Sequence, residues 1–266
     1  MSMHRREFIQ SGTAAAFLTA LGWPALAADA PTVGLIFPPA NYPIPPDAGR
    51  LYPSGVRFIG NGLGFNGMTI ESYNEAIPRA MPRAQELAAQ GANLISVFGS
   101  SITFYKGAAF NEELTQKVTA LTGLPATTQS NGLIDGLRTA NAKRVALATA
   151  YTDIVTERLK LFLQEHGFVV TSAKGLGYEK VPEAGVGQDV LMALGAEAYS
   201  QSQKADALVV SCGGLKTLDL IVPLEARIKV PVVSSTPHGL MNAVRLVGVA
   251  PGAKGFGMVF DRVKKG

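Results

Sequence analysis

Cys212 is the only cysteine among 266 residues. It sits in Ala207-Leu-Val-Val-Ser-Cys-Gly-Gly-Leu215, where an apolar run leads into it and two glycines follow. The pattern predicts a buried strand that ends in a tight turn with a thiol at its mouth. Open α/β sheets bind ligands at such strand ends. Asn93-Leu-Ile-Ser-Val-Phe-Gly-Ser-Ser101 predicts a second strand ending the same way. Aligning the two ends sets Gly99 opposite Cys212, so an acid/base would stand on one side of the site only. A lone cysteine is also often just a small buried hydrophobe. Gly213 and Gly214 favour chemistry, because they let backbone N–H groups approach a ligand. They also set the sulfur near an expected helix N-terminus, a position that lowers a thiol pKa. A single cysteine excludes an intrachain disulfide and a multi-cysteine metal site.

Two further strand ends complete a set of four: Phe37-Pro38-Pro39 and Thr149-Ala150-Tyr151. Ser100, Ser101 and Tyr151 offer hydroxyl donors, and Gly213 and Gly214 offer backbone donors. Such a cluster suits a carboxylate, or an enediolate derived from one. Ser100 and Ser101 equally suit the cap of the following helix, and capping uses the same geometry as anion binding. Other machinery is missing. Gly60-Asn-Gly-Leu-Gly64 has its third glycine misplaced for a dinucleotide loop and reads as a turn. No phosphate loop of the Walker type is present, and no serine elbow for a Ser-His-Asp triad. The three histidines make no metal cluster: His4 lies in the N-terminal signal, His166 ends a helix, and His238, which could line the cleft, reads rather as an exposed residue at a helix start.

The elements that must position these groups alternate. Thr32 to Phe37 reads as a strand, followed by a stiff proline-rich loop over 38–53 that cannot join a central strand. Glu71 to Gln90 reads as a helix that Pro78 and Pro82 must kink or interrupt. Strand 93–98, helix 108–122, a short strand at Pro125 to Thr128 and a helix through Ala140 follow. The pattern then repeats: strand Arg144 to Ala150, helix Asp153 to His166, strand Phe168 to Ser172, helix Gln188 to Lys204, strand 207–211, helix 216–228, strand Val230 to Ser234 and helix Pro237 to Val247. Alternation of this kind implies parallel sheets built from βαβ units. The expected fold is α/β: two pseudo-symmetric doubly wound lobes, residues 28–140 and 141–266, with a cleft between them.

Residues 1–27 read as a targeting signal. Arg5-Arg6 is a twin-arginine pair, Ala14 to Leu21 is mildly apolar, and Ala25-Leu26-Ala27 is an A-x-A cleavage site. The apolar run is too short for a stable membrane span. The expectation is export through the twin-arginine machinery to the periplasm, with a mature chain beginning near Ala28. Hydrophobic residues make up 47% of the chain and charged residues 17%, which suits a compact globule with a sizeable core. The net charge of +4 is spread without Lys/Arg runs or basic stripes, which argues against nucleic-acid binding.

The chain resembles the arylmalonate decarboxylases, within the aspartate/glutamate racemase superfamily that also holds maleate cis-trans isomerase. The likeness rests on Phe37-Pro38-Pro39, Arg50-Leu51-Tyr52-Pro53, Gly99-Ser100-Ser101, Phe104-Tyr105-Lys106-Gly107-Ala108-Ala109-Phe110-Asn111, Val145 to Tyr151 and Ser211-Cys-Gly-Gly-Leu215. It covers essentially the whole mature chain. Racemases and isomerases of this superfamily carry a cysteine at both strand ends; the decarboxylases, like this chain, carry glycine at the first. The resemblance implies a cofactor-independent and metal-free decarboxylation of α-aryl or α-alkyl malonates. It casts Ser100, Ser101, Tyr151 and the Gly213 backbone as a dioxyanion hole and Cys212 as the acid that protonates one face. It places Pro38, Pro39, Gly99, Phe65 and Met68 around the substrate. Phe65 and Met68 are bulkier than the family's residues there, Ser100 stands where the family has threonine, Gly177 to Gly187 is only loosely similar, and the export signal departs from the family. A racemase or isomerase of a small dicarboxylate, and an exported carboxylate-binding protein, are the alternatives.

Overall fold

The computed structural model describes residues 30–65 and 67–263. The expected signal, with its Arg5-Arg6 pair and cleavage site, lies outside them. The chain folds into two four-stranded sheets, all strands parallel, with orders β2-β1-β3-β4 and β6-β5-β7-β8. The strands of the first sheet are β1 (Thr32–Phe37), β2 (Arg57–Gly62), β3 (Leu94–Val97) and β4 (Ala126–Thr128). Those of the second are β5 (Arg144–Tyr151), β6 (Val169–Tyr178), β7 (Ala207–Ser211) and β8 (Val232–Ser234). The helices are α1 (Pro46–Leu51), α2 (Ile70–Ala76), α3 (Ala80–Ala89), α4 (Ser100–Phe104), α5 (Ala108–Thr122), α6 (Gln129–Thr139), α7 (Asp153–Glu165), α8 (Gln188–Ser200), α9 (Leu218–Ile228), α10 (Ser235–Leu246) and α11 (Met258–Arg262).

The central strands follow from their composition. β1, β3 and β7 are buried along their whole length, as expected of parallel strands covered by helices on both faces. The two sheets repeat one order, so each has its switch point between the first strand and the third, at β1/β3 and at β5/β7. The repeat also fixes the correspondence between the halves. Gly99 and Cys212 lie equally far past the first rungs Val33↔Leu94 and Val145↔Ala207. The halves interlock through α10, which packs on α6 of the first half. The Arg50-Leu-Tyr-Pro stretch is part of the same clamp: Arg50 donates to both carboxylate oxygens of Asp219 at 3.0 and 2.6 Å, and the Tyr52 hydroxyl donates to the Pro251 carbonyl at 3.0 Å.

Several expectations need correction. Gly60 to Gly64 is not a simple turn: Arg57–Gly62 is an edge strand. A Cβ on Gly62 would come within 2.2 Å of the Pro39 and Ala40 carbonyl oxygens, so only glycine allows this approach. The proline-rich loop contains α1, begun by Pro46 at its first turn, where the missing N–H costs nothing. Phe168 to Ser172 extends to the longer β6, and the short helix α11 has no counterpart in the sequence reading. Pro78 breaks the 71–90 helix as expected: a 3-10 turn over Ile77–Arg79 separates α2 from α3. Among the described residues, no helix is long and apolar enough to cross a membrane.

Candidate active site

The carboxyl ends of β1, β3 and β7 open into a cavity of about 440 Å³. Of the residues singled out from the sequence, Pro38, Pro39, Phe65, Met68, Gly99, Ser100, Ser101, Cys212, Gly213 and Gly214 line it. Its apolar wall adds Phe37, Phe98 and Val181. The segment Lys180 to Gly185 forms another side. A hydrogen bond from the Met68 N–H to the Glu179 carbonyl, 2.6 Å, ties that segment to the Phe65–Met68 wall.

Cys212 is 5% exposed, and its thiol hydrogen points to the Met68 sulfur at 3.7 Å. Burial pushes the thiol up to about 11 from 9.0, because a thiolate loses its hydration there. The Gly214 N–H, the Tyr151 hydroxyl and the Leu215 N–H offset part of this. The expected lowering by a helix N-terminus does not occur: α9 begins only at Leu218, and desolvation outweighs the local donors. At neutral pH the group is therefore a thiol, equipped to give a proton.

Gly99 sits on the other strand end with φ −173°, an extended conformation open to any residue. What limits the position is space: a Cβ would lie 2.6 Å from Pro38 Cγ and 3.1 Å from Ile102 Cγ2. Gly99 is also the residue that caps α4; Ser100 and Ser101 are its first two helical residues rather than its caps. Both serines are buried, with Ser101 9% exposed and Ser100 1%.

Tyr151 does not line the cavity. It is fully buried, and its hydroxyl lies 3.0 Å from Ser100 Oγ and 3.2 Å from Ser211 Oγ. Desolvation and the nearby Cys212 sulfur raise its pKa well above the ordinary range, so it remains a neutral donor. Ser235 Oγ contacts Ser100 Oγ at 3.1 Å and Ser211 Oγ at 3.2 Å. Ser211 and Ser235 were missed in the sequence. Ser211 directly precedes the thiol, and Ser235 follows the β8 strand, but only the order β5-β7-β8 brings them beside Tyr151. Gln129 and Thr236 were missed too. Gln129 donates to Thr236 Oγ1 at 3.2 Å, and Thr236 donates to the Gly213 carbonyl at 3.3 Å, which fixes the peptide joining Gly213 to Gly214.

His238 contradicts its sequence reading. It is fully buried, its ring lies against Phe260, and Nδ1 accepts from the Ser234 N–H at 3.0 Å. Burial depresses it to about 4, so it is neutral, and it stays outside the cavity. Among the described residues, no group of three or more His, Cys, Asp or Glu is placed to hold a metal ion.

The comparisons with known proteins bear on this arrangement. The family model for arylmalonate decarboxylase matches residues 33–260. The chain belongs to the arylmalonate decarboxylase family. It is 45% identical over 236 residues to the arylmalonate decarboxylase of Bordetella bronchiseptica, spanning 88% of this chain and 98% of that one. It also matches the liganded crystal structure of an arylmalonate decarboxylase in which a glycine is replaced by cysteine and a cysteine by serine. That match has a TM-score of 0.84 at 44% identity and covers 87% of this chain and 99% of the other. The maleate isomerase of Pseudomonas putida S16 shares the fold, with a TM-score of 0.76 at 19% identity over 88% of this chain and 99% of that one. The family is one of carboxy-lyases.

Proposed function

We propose that the protein decarboxylates α-aryl or α-alkyl malonates to chiral monocarboxylic acids, through an enediolate that Cys212 protonates from one face. The observation that carries this reading is the asymmetry of the cavity: one buried, protonated thiol at the end of β7 and a glycine at the matching end of β3. Ser100 and Ser101, the N–H of Gly213 and, from beneath, Tyr151 hold the retained carboxylate. The departing carboxylate faces Phe65, Met68 and Val181, where it is poorly solvated. The bond from the α-carbon to that carboxylate breaks, CO₂ leaves, and the electron pair passes into the retained carboxylate as an enediolate. Fixed donors bind this more highly charged species better than the substrate, which lowers the barrier. The Cys212 Sγ–H proton then goes to the α-carbon, and water returns a proton to the thiolate.

Relatedness to maleate isomerase supports a second reading, isomerisation or racemisation of a dicarboxylate. A two-sided site needs a second acid/base, and the chain has one cysteine. A pure carboxylate-binding protein would have no use for a one-sided proton donor. Incubating the mature chain with phenylmalonate should release one CO₂ per phenylacetate formed. Binding without CO₂ release refutes the decarboxylase reading. We also propose that the protein is exported to the periplasm by the twin-arginine route, on the strength of Arg5-Arg6 and Ala25-Leu26-Ala27.

A further inference from the structure

Four buried hydroxyls meet under the cavity floor, and their contacts close a ring. Ser100 touches Tyr151 at 3.0 Å, Tyr151 touches Ser211 at 3.2 Å, Ser211 touches Ser235 at 3.2 Å, and Ser235 touches Ser100 at 3.1 Å. All four residues are at most 1% exposed. Among the described residues, none of the four oxygens has another oxygen or nitrogen partner within hydrogen-bond geometry, and the Cys212 sulfur lies close to the Tyr151 hydroxyl. A hydroxyl carries one hydrogen and two lone pairs. Four hydrogens therefore satisfy four contacts only if every hydroxyl donates in the same direction around the ring. In that state no hydrogen is left for a ligand.

Binding an anion changes the count. If Ser100 and Tyr151 both turn their hydrogens to a carboxylate, their shared contact loses its hydrogen and both become acceptors. Only two hydroxyls touch them and can donate: Ser235 to Ser100 and Ser211 to Tyr151. We infer that Ser235 and Ser211 are positioning residues for the anion site, each backing one anion-binding hydroxyl; the one that donates to the other in the free ring reverses its direction when the carboxylate arrives. This rests on the proposed malonate chemistry of the same site. The two serines need only rotation of their O–H bonds, whereas Tyr151, buried behind Ser100 and outside the cavity lining, also needs a small shift to bring its hydroxyl to the carboxylate. The ring gives up two neutral hydrogen bonds and gains two charge-assisted ones, which are about twice as strong. A hydroxyl that accepts while it donates is polarised, which strengthens its bond to the anion.

The test measures phenylmalonate affinity by calorimetry in the Cys212→Ala background, where turnover is blocked, and phenylmalonate kinetics in the parent. Ser235→Ala and Ser211→Ala should each weaken binding about tenfold, the effect of losing one ordinary hydrogen bond and its polarisation. In a Ser100→Ala background, Ser235→Ala should change affinity by less than about twofold, because its recipient is gone. Thermal unfolding measured alongside separates this coupling from plain destabilisation, and Ser235→Thr, which keeps the hydroxyl, should restore affinity. Equal losses in the presence and absence of the Ser100 hydroxyl, or full affinity in both serine-to-alanine variants, would overturn the inference. A parent that binds phenylmalonate but releases no CO₂ overturns the decarboxylase reading instead, while the binding arm still decides the role of the two serines.

Discussion

The protonation state of Cys212 is open to direct attack. Burial raises the thiol from 9.0 to about 11, a cost to the thiolate of about 3 kcal/mol. At pH 8 an unperturbed thiol of this kind is ionised to about a tenth, and one shifted by two units to about a thousandth. Alkylation by iodoacetamide proceeds through the thiolate. Its rate should therefore rise tenfold per pH unit from pH 7 through pH 10 and bend only near pH 11. Limited access lowers the rate equally at every pH, so the position of the bend reports the thiol alone. Decarboxylation should show no loss from thiol ionisation up to pH 10 and should decline towards pH 11. Stability carries the same signature. The folded thiol holds its proton between pH 9 and 11 while the unfolded one releases it. This contribution is complete below pH 9 and is lost, by up to about 3 kcal/mol, as the pH rises to 11. An alkylation profile that levels off near pH 9 or lower would refute the reasoning, since the thiol would then be a partly ionised nucleophile rather than a held acid.

Other expectations follow from the same geometry. Gly99→Cys should fold but lose about 1–3 kcal/mol to overpacking, because its Cβ meets the Pro38 ring at 2.6 Å. Adding Pro38→Ala should recover part of the lost melting temperature in thermal unfolding. Ser101→Ala should lower turnover of phenylmalonate on the order of 10²-fold, the usual cost of one oxyanion donor, and Tyr151→Phe should do the same while leaving the fold intact. Replacing Arg5 and Arg6 by lysine should leave the protein in the cytoplasm, as read by fractionation and immunoblotting; unchanged processing and export would count against the twin-arginine route.

Much of this molecule is legible in the chain because burial on both faces of a parallel sheet leaves a simple mark. β1, β3, β5 and β7 are mostly apolar and buried along nearly their whole length, and the residue types at their ends mark Cys212, Gly99, Ser100 and Ser101. β2 is hidden for a physical reason. An edge strand with three partly buried and two exposed residues has no apolar run, and its glycines answer to neighbouring carbonyls rather than to a turn. His238 follows Pro237 at the start of a helix, which suggests exposure, yet α10 is buried between the halves and takes the ring with it. Ser211 and Ser235 lie 24 residues apart and acquire meaning only when the strand order sets them beside Tyr151. The direction of the thiol pKa shift is not legible in the chain, because a Gly-Gly turn shows nearby N–H groups but not the degree of burial that outweighs them.

Handedness of the product tests the one-sided site most directly. The enantiomer formed from an α-methyl-α-aryl malonate can be read by chiral chromatography for the parent and for the double variant Gly99→Cys with Cys212→Ala. Moving the only thiol to the opposite strand end should give slow turnover and the opposite enantiomer. The same enantiomer from both proteins would show that Cys212 does not choose the face that receives the proton.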